Sequence, residues 1–479
     1  MKDHVIICGL GHVGFRSFEL LQQLGVKVAV ITDKSPEDWR KKVEAAGGLF
    51  LIGDASNDEL LLKAGIQQAS AILAVTDQDL VNVSVVMDAR RLNSKIRIVC
   101  RLFDTDLGKH ISEAFAVSHV FSTSELAAPI FCSAVEQNQT LAKFNLGNSH
   151  FRITESLKST GTPALVEGNG TLLKVEPLEQ KPEQNRSALN RVVNWILHPS
   201  LLKFRRVLGL MAAVIALAAC VVKYQMALSW VDAFYFVTTT VTTVGYGDFN
   251  FSLATFEMKL FGIFLMLVGA SSLAVLFSAV TEAFLSEKFS SLFGGRAVPK
   301  RDHVVLVGSA HVGLRIAEQL VLDQIPTVII ENEKFGRFPA DIKRKVALVD
   351  GDARNSATLH QSNILSAKAI LTVTDDDVAN LSIGLSAQTI NPNIRTVTRI
   401  FDADLGAKLQ KKLSINNILS VSGISAPYFV SAALADKIIV ALRWQNYFII
   451  LSESDGNEGF VPFVIPSTNS TVYMKVRRL

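Results

Sequence analysis

Cysteine is scarce and unpatterned. Cys8, Cys100, Cys132 and Cys220 are the only 4 in 479 residues. They are spaced neither like the disulfide framework of a secreted domain nor like metal ligands, and each lies in an apolar run that reads as core. No Cys/His cluster suggests zinc or another soft metal. Charge of one sign is lacking too: 48 Lys and Arg against 44 Asp and Glu leave a net +4, too little for the footprint of a nucleic-acid binder. The opening "MKDHVIICGLGHVG" has no charged n-region followed by a cleavable apolar core, so it is not a signal peptide and its domain is expected in the cytoplasm. No helix with regularly spaced arginines precedes the apolar segments, which argues against voltage sensing. Nor is there a further domain pairing a histidine with a carboxylate over a substrate, and the chain is not read as an enzyme.

What is present is hydrophobicity, 49% of residues with a mean hydropathy of +0.30, high enough to place part of the chain in lipid. Residues 260 to 280, "LFGIFLMLVGASSLAVLFSAV", are 21 positions without a charge, which at about 1.5 Å per residue crosses roughly 30 Å of hydrocarbon. Val207 to Val222 is shorter at 16 residues, but Arg206 and Lys223 can snorkel and extend its reach. Lys203, Arg205 and Arg206 mark the start of this first crossing as the cytoplasmic end, and the second crossing returns the chain inside. Both termini are therefore expected in the cytoplasm. Ahead of the first crossing, "EPLEQKPEQN" reads as a linker; Leu189, Val192, Val193, Ile196 and Leu197, with Trp195, suggest an interfacial amphipathic helix.

The chain also repeats itself. "ILAVTDQDLVN" at 72 returns as "ILTVTDDDVAN" at 370, and "RLFDTDLG" at 101 as "RIFDADLG" at 399, a constant offset of 298 residues. Each copy opens with an apolar run, a small-residue turn, a helix-length segment and a second apolar run. That order predicts α/β Rossmann-like domains, each a doubly wound parallel sheet, flanking an all-α two-helix membrane module. The expected boundaries are 1–175 for the first copy with a small β appendage, 176–200 for the linker and interfacial helix, 201–285 for the membrane module, 286–300 for a second linker, and 301–479 for the second copy. Segments 140–175 and 445–479 read as β-rich appendages.

Between the two crossings lies "TTTVTTVGYGDFN" (238–250), preceded by 229–241, long enough for a half-spanning helix. Non-helical backbone at membrane depth is tolerated only along a water-filled path. A dehydrated cation needs oxygens aimed at one axis, which the carbonyls of Thr243, Val244, Gly245 and Tyr246 can supply if Gly245 and Gly247 adopt positive φ; Thr243 can add its hydroxyl. Val244 and Tyr246 would point back at the half-helix, and Asp248 would sit at the outer mouth. "TVGYGD" resembles the signature of potassium channels, and with two crossings around it the module resembles the two-helix prokaryotic potassium channels. The resemblance implies K⁺ as the transported ion, a homotetramer in the prokaryotic cell (inner) membrane, and Gly269 at the place where the inner helix bends; a helix-packing role for Gly269 stays open beside it.

In the first copy, "GLGHVG" runs Gly9, Leu10, Gly11, His12, Val13, Gly14. Gly9 serves the tight turn, Gly11 the approach of phosphate and Gly14 the packing of helix on sheet, while Asp33 ends the next strand and can accept from ribose hydroxyls. NAD(H) or an adenine nucleotide (AMP, ADP or ATP) is favoured over NADP. The second copy has Gly308, Ala310 at the middle position, Gly313, and Glu331 at the strand end. Both copies resemble RCK domains, the regulators of potassium conductance. By that resemblance Asp54 and Thr76, with Asp352 and Thr374, lie near the adenosine, and Arg101 and Arg399 lie near phosphates or at an interface. Asp375, Asp376 and Asp377 with Asp352 offer oxygens for Ca²⁺ or Mg²⁺, with a solvated acidic loop as the alternative. The expected function is a nucleotide-gated potassium channel, with divalent gating or a place in a potassium uptake system as alternatives.

Overall fold

The computed structural model describes residues 2–136, 140–146, 149–157, 165–168, 171–177, 202–252, 254–285, 297–332, 338–413, 415–435, 437–453, 460–465 and 470–479. The interfacial helix around Trp195 and most of the second linker fall outside them. Two compact units result, one of residues Met1–Lys181 with Val298–Leu479, the other of Pro182–Ala297.

In the first unit each copy forms a six-stranded parallel sheet. Strands β1 (Val5–Cys8), β2 (Val28–Thr32), β3 (Leu49–Ile52), β4 (Ala71–Ala74), β5 (Arg97–Arg101) and β6 (His119–Phe121) take the order β3-β2-β1-β4-β5-β6. Two four-stranded antiparallel sheets supply the appendages: β7 (Thr140–Leu146), β8 (Ser149–Leu157), β9 (Val166–Gly168) and β10 (Thr171–Pro177) in the first copy. The second copy repeats the parallel sheet with β11 (His303–Val307), β12 (Thr327–Glu331), β13 (Ala347–Asp350), β14 (Ala367–Thr372), β15 (Arg395–Arg399) and β16 (Asn417–Leu419). Its appendage is β17 (Ile438–Trp444), β18 (Tyr447–Ser452), β19 (Val461–Ile465) and β20 (Ser470–Arg478). Strands β1, β2, β4 and β11 are buried along their whole length on both faces, as central strands of parallel sheets require. Ile6, Cys8, Ala29 and Ile31 face one layer, while Val5, Ile7, Val28 and Val30 face the other.

The copies exchange helices. Helix Val421–Leu434, from the second copy, places Tyr428, Phe429, Val430, Ala432 and Ala433 in the core of the first sheet. Helix Thr123–Val135, from the first copy, places Ala127, Ala128, Phe131 and Cys132 against Val304, Leu306 and Leu371 of the second sheet. The two appendages likewise share a core, in which Phe144, Phe151 and Ile153 meet Leu442, Trp444 and Leu451. Apolar area is removed from water only while the copies stay together, so each completes the other.

In the other unit, helices Leu202–Met226 and Phe256–Leu285 are joined by helix Trp230–Val241 and the loop that follows it. Leu208–Met226 and Phe256–Ser278, with mean hydropathies of 1.8 and 2.4, are long and apolar enough to cross a membrane. Their common core is Ala218, Ala219, Val222, Phe236, Val237, Val241 and Leu265, while Leu210, Leu217, Phe264 and Leu267 are exposed. Three cysteines are core residues, and burial pushes the thiol of Cys100 up to about 12 and those of Cys8 and Cys132 higher still. Cys220 departs from the expectation: it is exposed, because it lies on the outward side of the first membrane-length helix, away from its packed face.

Candidate functional sites

The loop after Trp230–Val241 is shaped by its own hydrogen bonds. Ser229 caps the helix, accepting from the Asp232 amide and donating to its carboxylate at 2.7 Å. The hydroxyls of Thr239 and Thr240 fold back onto the Phe236 carbonyl and that of Thr242 onto the Thr238 carbonyl, which satisfies polar groups in apolar surroundings. The amides of Val244 and Gly245 then both donate to the Thr239 carbonyl.

Thr243, Gly245 and Gly247 have φ of 62°, 51° and 82°, with Val244 and Tyr246 between them outside that region. Alternating handedness turns consecutive carbonyls to one side, where a strand would alternate them. An added Cβ at Gly245 or Gly247 meets nothing within 4 Å, so glycine is required there for conformation and not for room. Thr243 is the unforeseen member: a β-branched residue at positive φ is an outlier, and such strain is held where a site needs it. Tyr235 was also missed. From the half-helix it stacks on Tyr246, ring centroids 6.5 Å apart and 3° from parallel, and its hydroxyl reaches toward Asp248, so one ring braces the C-terminal end of the loop. Gly269 is a close-approach residue: a Cβ there would lie 2.7 Å from the Cα of Val241, and the long helix runs through it without a break.

In the first copy, Gly9 has a φ of 97° and a Cβ on Gly14 would lie 2.0 Å from the Gly9 carbonyl oxygen, so the turn tolerates only glycine at both. Helix His12–Gln23 starts at Gly11 with no side-chain cap, leaving its first amides for an anion. Beyond Gly11 a Cβ would meet nothing within 4 Å. That space is part of a cavity of about 820 Å³, lined by Gly9 to Val13, Thr32, Asp33, Trp39, Thr76 and Arg101 of the first copy and by Ala310, His311, Asp375, Arg399 and Phe401 of the second. Asp54 does not line it; its carboxylate accepts from the Ser56 amide and hydroxyl, which hold its pKa low.

Stacked side chains cross between the copies. His12 lies on Phe401 at 5.2 Å and edge-on to Trp39 at 5.3 Å, while His311 lies on Phe103 at 4.5 Å. Arg101 and Arg399 sit over those same phenylalanines, at 4.6 and 4.4 Å. Burial holds the His12 imidazole below its ordinary pKa. Arg16, on the helix that follows the glycine turn, reaches Asp402 and Asp404 of the second copy, both at 2.9 Å.

Asn82 and Asn380 escaped the sequence reading. Each is fully buried. Asn82 accepts from the amide and hydroxyl of Thr76 and donates to the carbonyls of Thr76 and Arg101; Asn380 does the same for Thr374 and Arg399. The signal was available, since both repeats of "VTD" end on this asparagine.

The second copy has a smaller cleft of its own, about 210 Å³, lined by Gly308, Glu331, Asn332, Asp352, Arg354, Thr374 and Asp376. Gly313 packs as Gly14 does, a Cβ there lying 2.1 Å from the Gly308 oxygen. The four acids considered for Ca²⁺ or Mg²⁺ do not form one cluster: Asp352 and Asp376 line this cleft, Asp375 lines the larger cavity, and Asp377 lines neither. Asp352 pairs with Arg354 at 2.7 Å, Asp375 with Arg399 at 2.9 Å, Asp376 caps its own helix, and Asp377 accepts from the Phe401 amide. Among the described residues no three His, Cys, Asp or Glu side chains gather as metal ligands.

The TrkA-N domain family matches residues 5–123 and again 304–421, and an ion channel family matches residues 209–286. Probable potassium channel protein 2 of Methanocaldococcus jannaschii is 23% identical over 266 residues, 52% of this chain and 74% of that one. Among solved structures, the GsuK RCK domain aligns with a TM-score of 0.53 and 13% identity, covering 100% of this chain and 93% of that one. The GsuK channel bound to NAD aligns with a TM-score of 0.52 and 13% identity over 97% of this chain and 69% of that one. At such identity the likeness is one of fold.

Proposed function

We propose that this chain, in which two TrkA-N (RCK) domains flank an ion channel pore module, is a potassium-selective channel that assembles as a homotetramer and is gated by a nucleotide in its first cleft. The observation that carries the reading is the loop with positive φ at Thr243, Gly245 and Gly247, set after a capped half-helix between two membrane-length helices. One chain supplies one ribbon of carbonyls, and a cation stripped of water needs a ring of them. The C-terminal end of the half-helix, the negative end of its dipole, suits the same cation. Val244 and Tyr246, exposed in one chain, are where further copies would pack.

The cleft at "GLGHVG" has the uncapped helix start, the acid at Asp33 and the cavity that NAD(H) or an adenine nucleotide needs, and the similarly folded GsuK channel has been described with NAD. The first copy precedes the outer helix in the chain and the second follows the inner helix. Because the copies share cores and the contacts of His12 with Phe401 and Arg16 with Asp402, a ligand at the first turn acts on both. It biases the gate only through different affinity for the two states. Both termini are cytoplasmic in this reading, and the protein lies in the prokaryotic cell membrane.

The test is potassium against sodium flux in liposomes, with NAD⁺, NADH, ATP or ADP on either side. Potassium-selective flux altered by one nucleotide is expected, and Asp33→Ala is expected to abolish the nucleotide response while leaving selectivity intact. Absence of selective flux sinks the pore reading; selective flux indifferent to every nucleotide sinks the gating.

A further inference from the structure

In sequence the chain passes from the inner helix into the second copy at Val298, where the membrane unit ends and the unit of the two copies resumes. Three ties hold this entry to the turn ahead of β14. The Asp302 amide donates to the Ser366 carbonyl at 2.9 Å. The fully buried ring of His303 bonds the Ser362 carbonyl through Nε2 at 2.8 Å. The side-chain amide of Asn363 donates to the carbonyls of Pro299 and Lys300, at 3.1 and 2.9 Å. Val298 itself packs on the core that includes Ile364 and Ile370.

The first copy has two of the three: Asp3 donates to the Gln68 carbonyl, and His4 bonds that of Ala64. Those ties belong to the shared fold. Where Asn363 stands, the first copy has Gly65. Both residues are left-handed, Gly65 with φ of 80° and Asn363 with 56°, and glycine takes that region at less cost than asparagine. Backbone geometry alone therefore does not call for asparagine at 363. What its side chain adds is a donor, and both groups that it meets are acceptors.

The tie also sits at the end of the sheet away from the clefts. β11 and β14 start at this entry, and the residues that follow them, Gly308 and Ala310 after one and Thr374 and Asp375 after the other, line the two clefts. The strands have 5 and 6 residues and pair side by side. A packed pair roughly 17–20 Å long passes a displacement at one end to the other, because close-packed interiors compress little.

Resting on the reading of a nucleotide-gated pore, we propose that Asn363 fastens the linker from the inner helix to the second copy, a positioning residue through which ligand-driven movement of the copies reaches the pore. Without its amide the carbonyls of Pro299 and Lys300 are released, and part of that movement is taken up as slack in the chain.

The test sets liposome flux beside calorimetric binding for the full-length protein and its variants N363D and N363G, with ATP, ADP, NAD⁺ and NADH as probes. N363D keeps the size of the side chain and its tolerance of left-handed backbone but removes the donor, and N363G reproduces the first copy. Both should fold, prefer potassium and retain nucleotide binding, while the effect of nucleotide on flux should shrink by about threefold or more, the scale of one hydrogen bond. Hydrogen exchange at 300–304 should quicken in both. An undiminished response in N363D overturns the proposal, and so does a response lost together with binding, which would make Asn363 a support of the cleft. If flux through the unmodified protein ignores every nucleotide, the gating reading ends and exchange decides the tie by itself: faster exchange at 300–304 in N363D retains the fastening of the linker, and unchanged exchange removes it.

Discussion

If each copy is completed by a helix from the other, a mutation in one copy should loosen its neighbour. Phe429 belongs to the second copy by sequence, is fully buried, and meets the Phe121 ring of the first copy edge-on at 5.4 Å. It shares a core with Val5, Ile7, Val30 and Leu73 of the first sheet. Truncating a buried phenylalanine removes its transfer free energy and leaves a cavity, about 3–5 kcal/mol together. If that loss falls on the opening of the first sheet, its protected amides should exchange roughly a hundred- to several-thousand-fold faster. The assay is hydrogen exchange read by mass spectrometry on the full-length protein carrying Phe429→Ala. Loss of protection is expected in β1, β2, β4 and β5, more than 300 residues away in sequence, with β11, β12 and β14 less affected. Protection lost first in the second sheet, the first unchanged, would refute the exchange of helices.

Three further outcomes follow from the geometry. Gly245→Ala forces a side chain into φ of 51° at a cost of about 1–2 kcal/mol for one residue; in liposome flux it should erase the preference for potassium over sodium, and an unchanged preference would show that the loop does not select. Asn82→Ala strips the partners from Thr76 and Arg101 and should cost about 2–3 kcal/mol in chemical denaturation while weakening nucleotide binding; a loss below about 0.5 kcal/mol, the scale of surface changes, would mean that the buried amide does not hold these strand ends. His4 and His303 are fully buried and bond through Nε2 to the carbonyls of Ala64 and Ser362, and burial holds both imidazoles below their ordinary pKa. The unfolded chain then takes up protons first as pH falls, so this stability is full above about pH 6.5 and declines below it. The melting temperature should drop between pH 7 and 5, and His4→Gln with His303→Gln should flatten the slope; an unaltered slope refutes the assignment.

Much of this was legible in the residues. Apolar runs too long to stay in water, a repeat at a fixed offset, and strands alternating with helices follow from local pattern, because hydrophobic period and glycine placement act over a few residues. The positive φ of Gly9, Gly245 and Gly247 belongs to the same class, since only glycine adopts such angles at little cost. Thr243 does not, because its strain is imposed by the backbone around it and leaves no mark in residue type.

Which surfaces meet was decided in three dimensions. The helices Thr123–Val135 and Val421–Leu434 are apolar in any reading, and nothing local states that each covers the other copy's sheet. That choice depends on where the chain can pay the least entropy to bury the most area, a property of the whole unit. For the same reason four aspartates that look like a cation site are taken up separately by Arg354, Arg399, a helix start and the Phe401 amide, while Arg101 and Arg399, 298 residues apart, come to line one cavity. Sequence by itself determined the parts and their chemistry. The tertiary structure decided their partners, because burial and charge are settled by neighbours that the order of residues does not name.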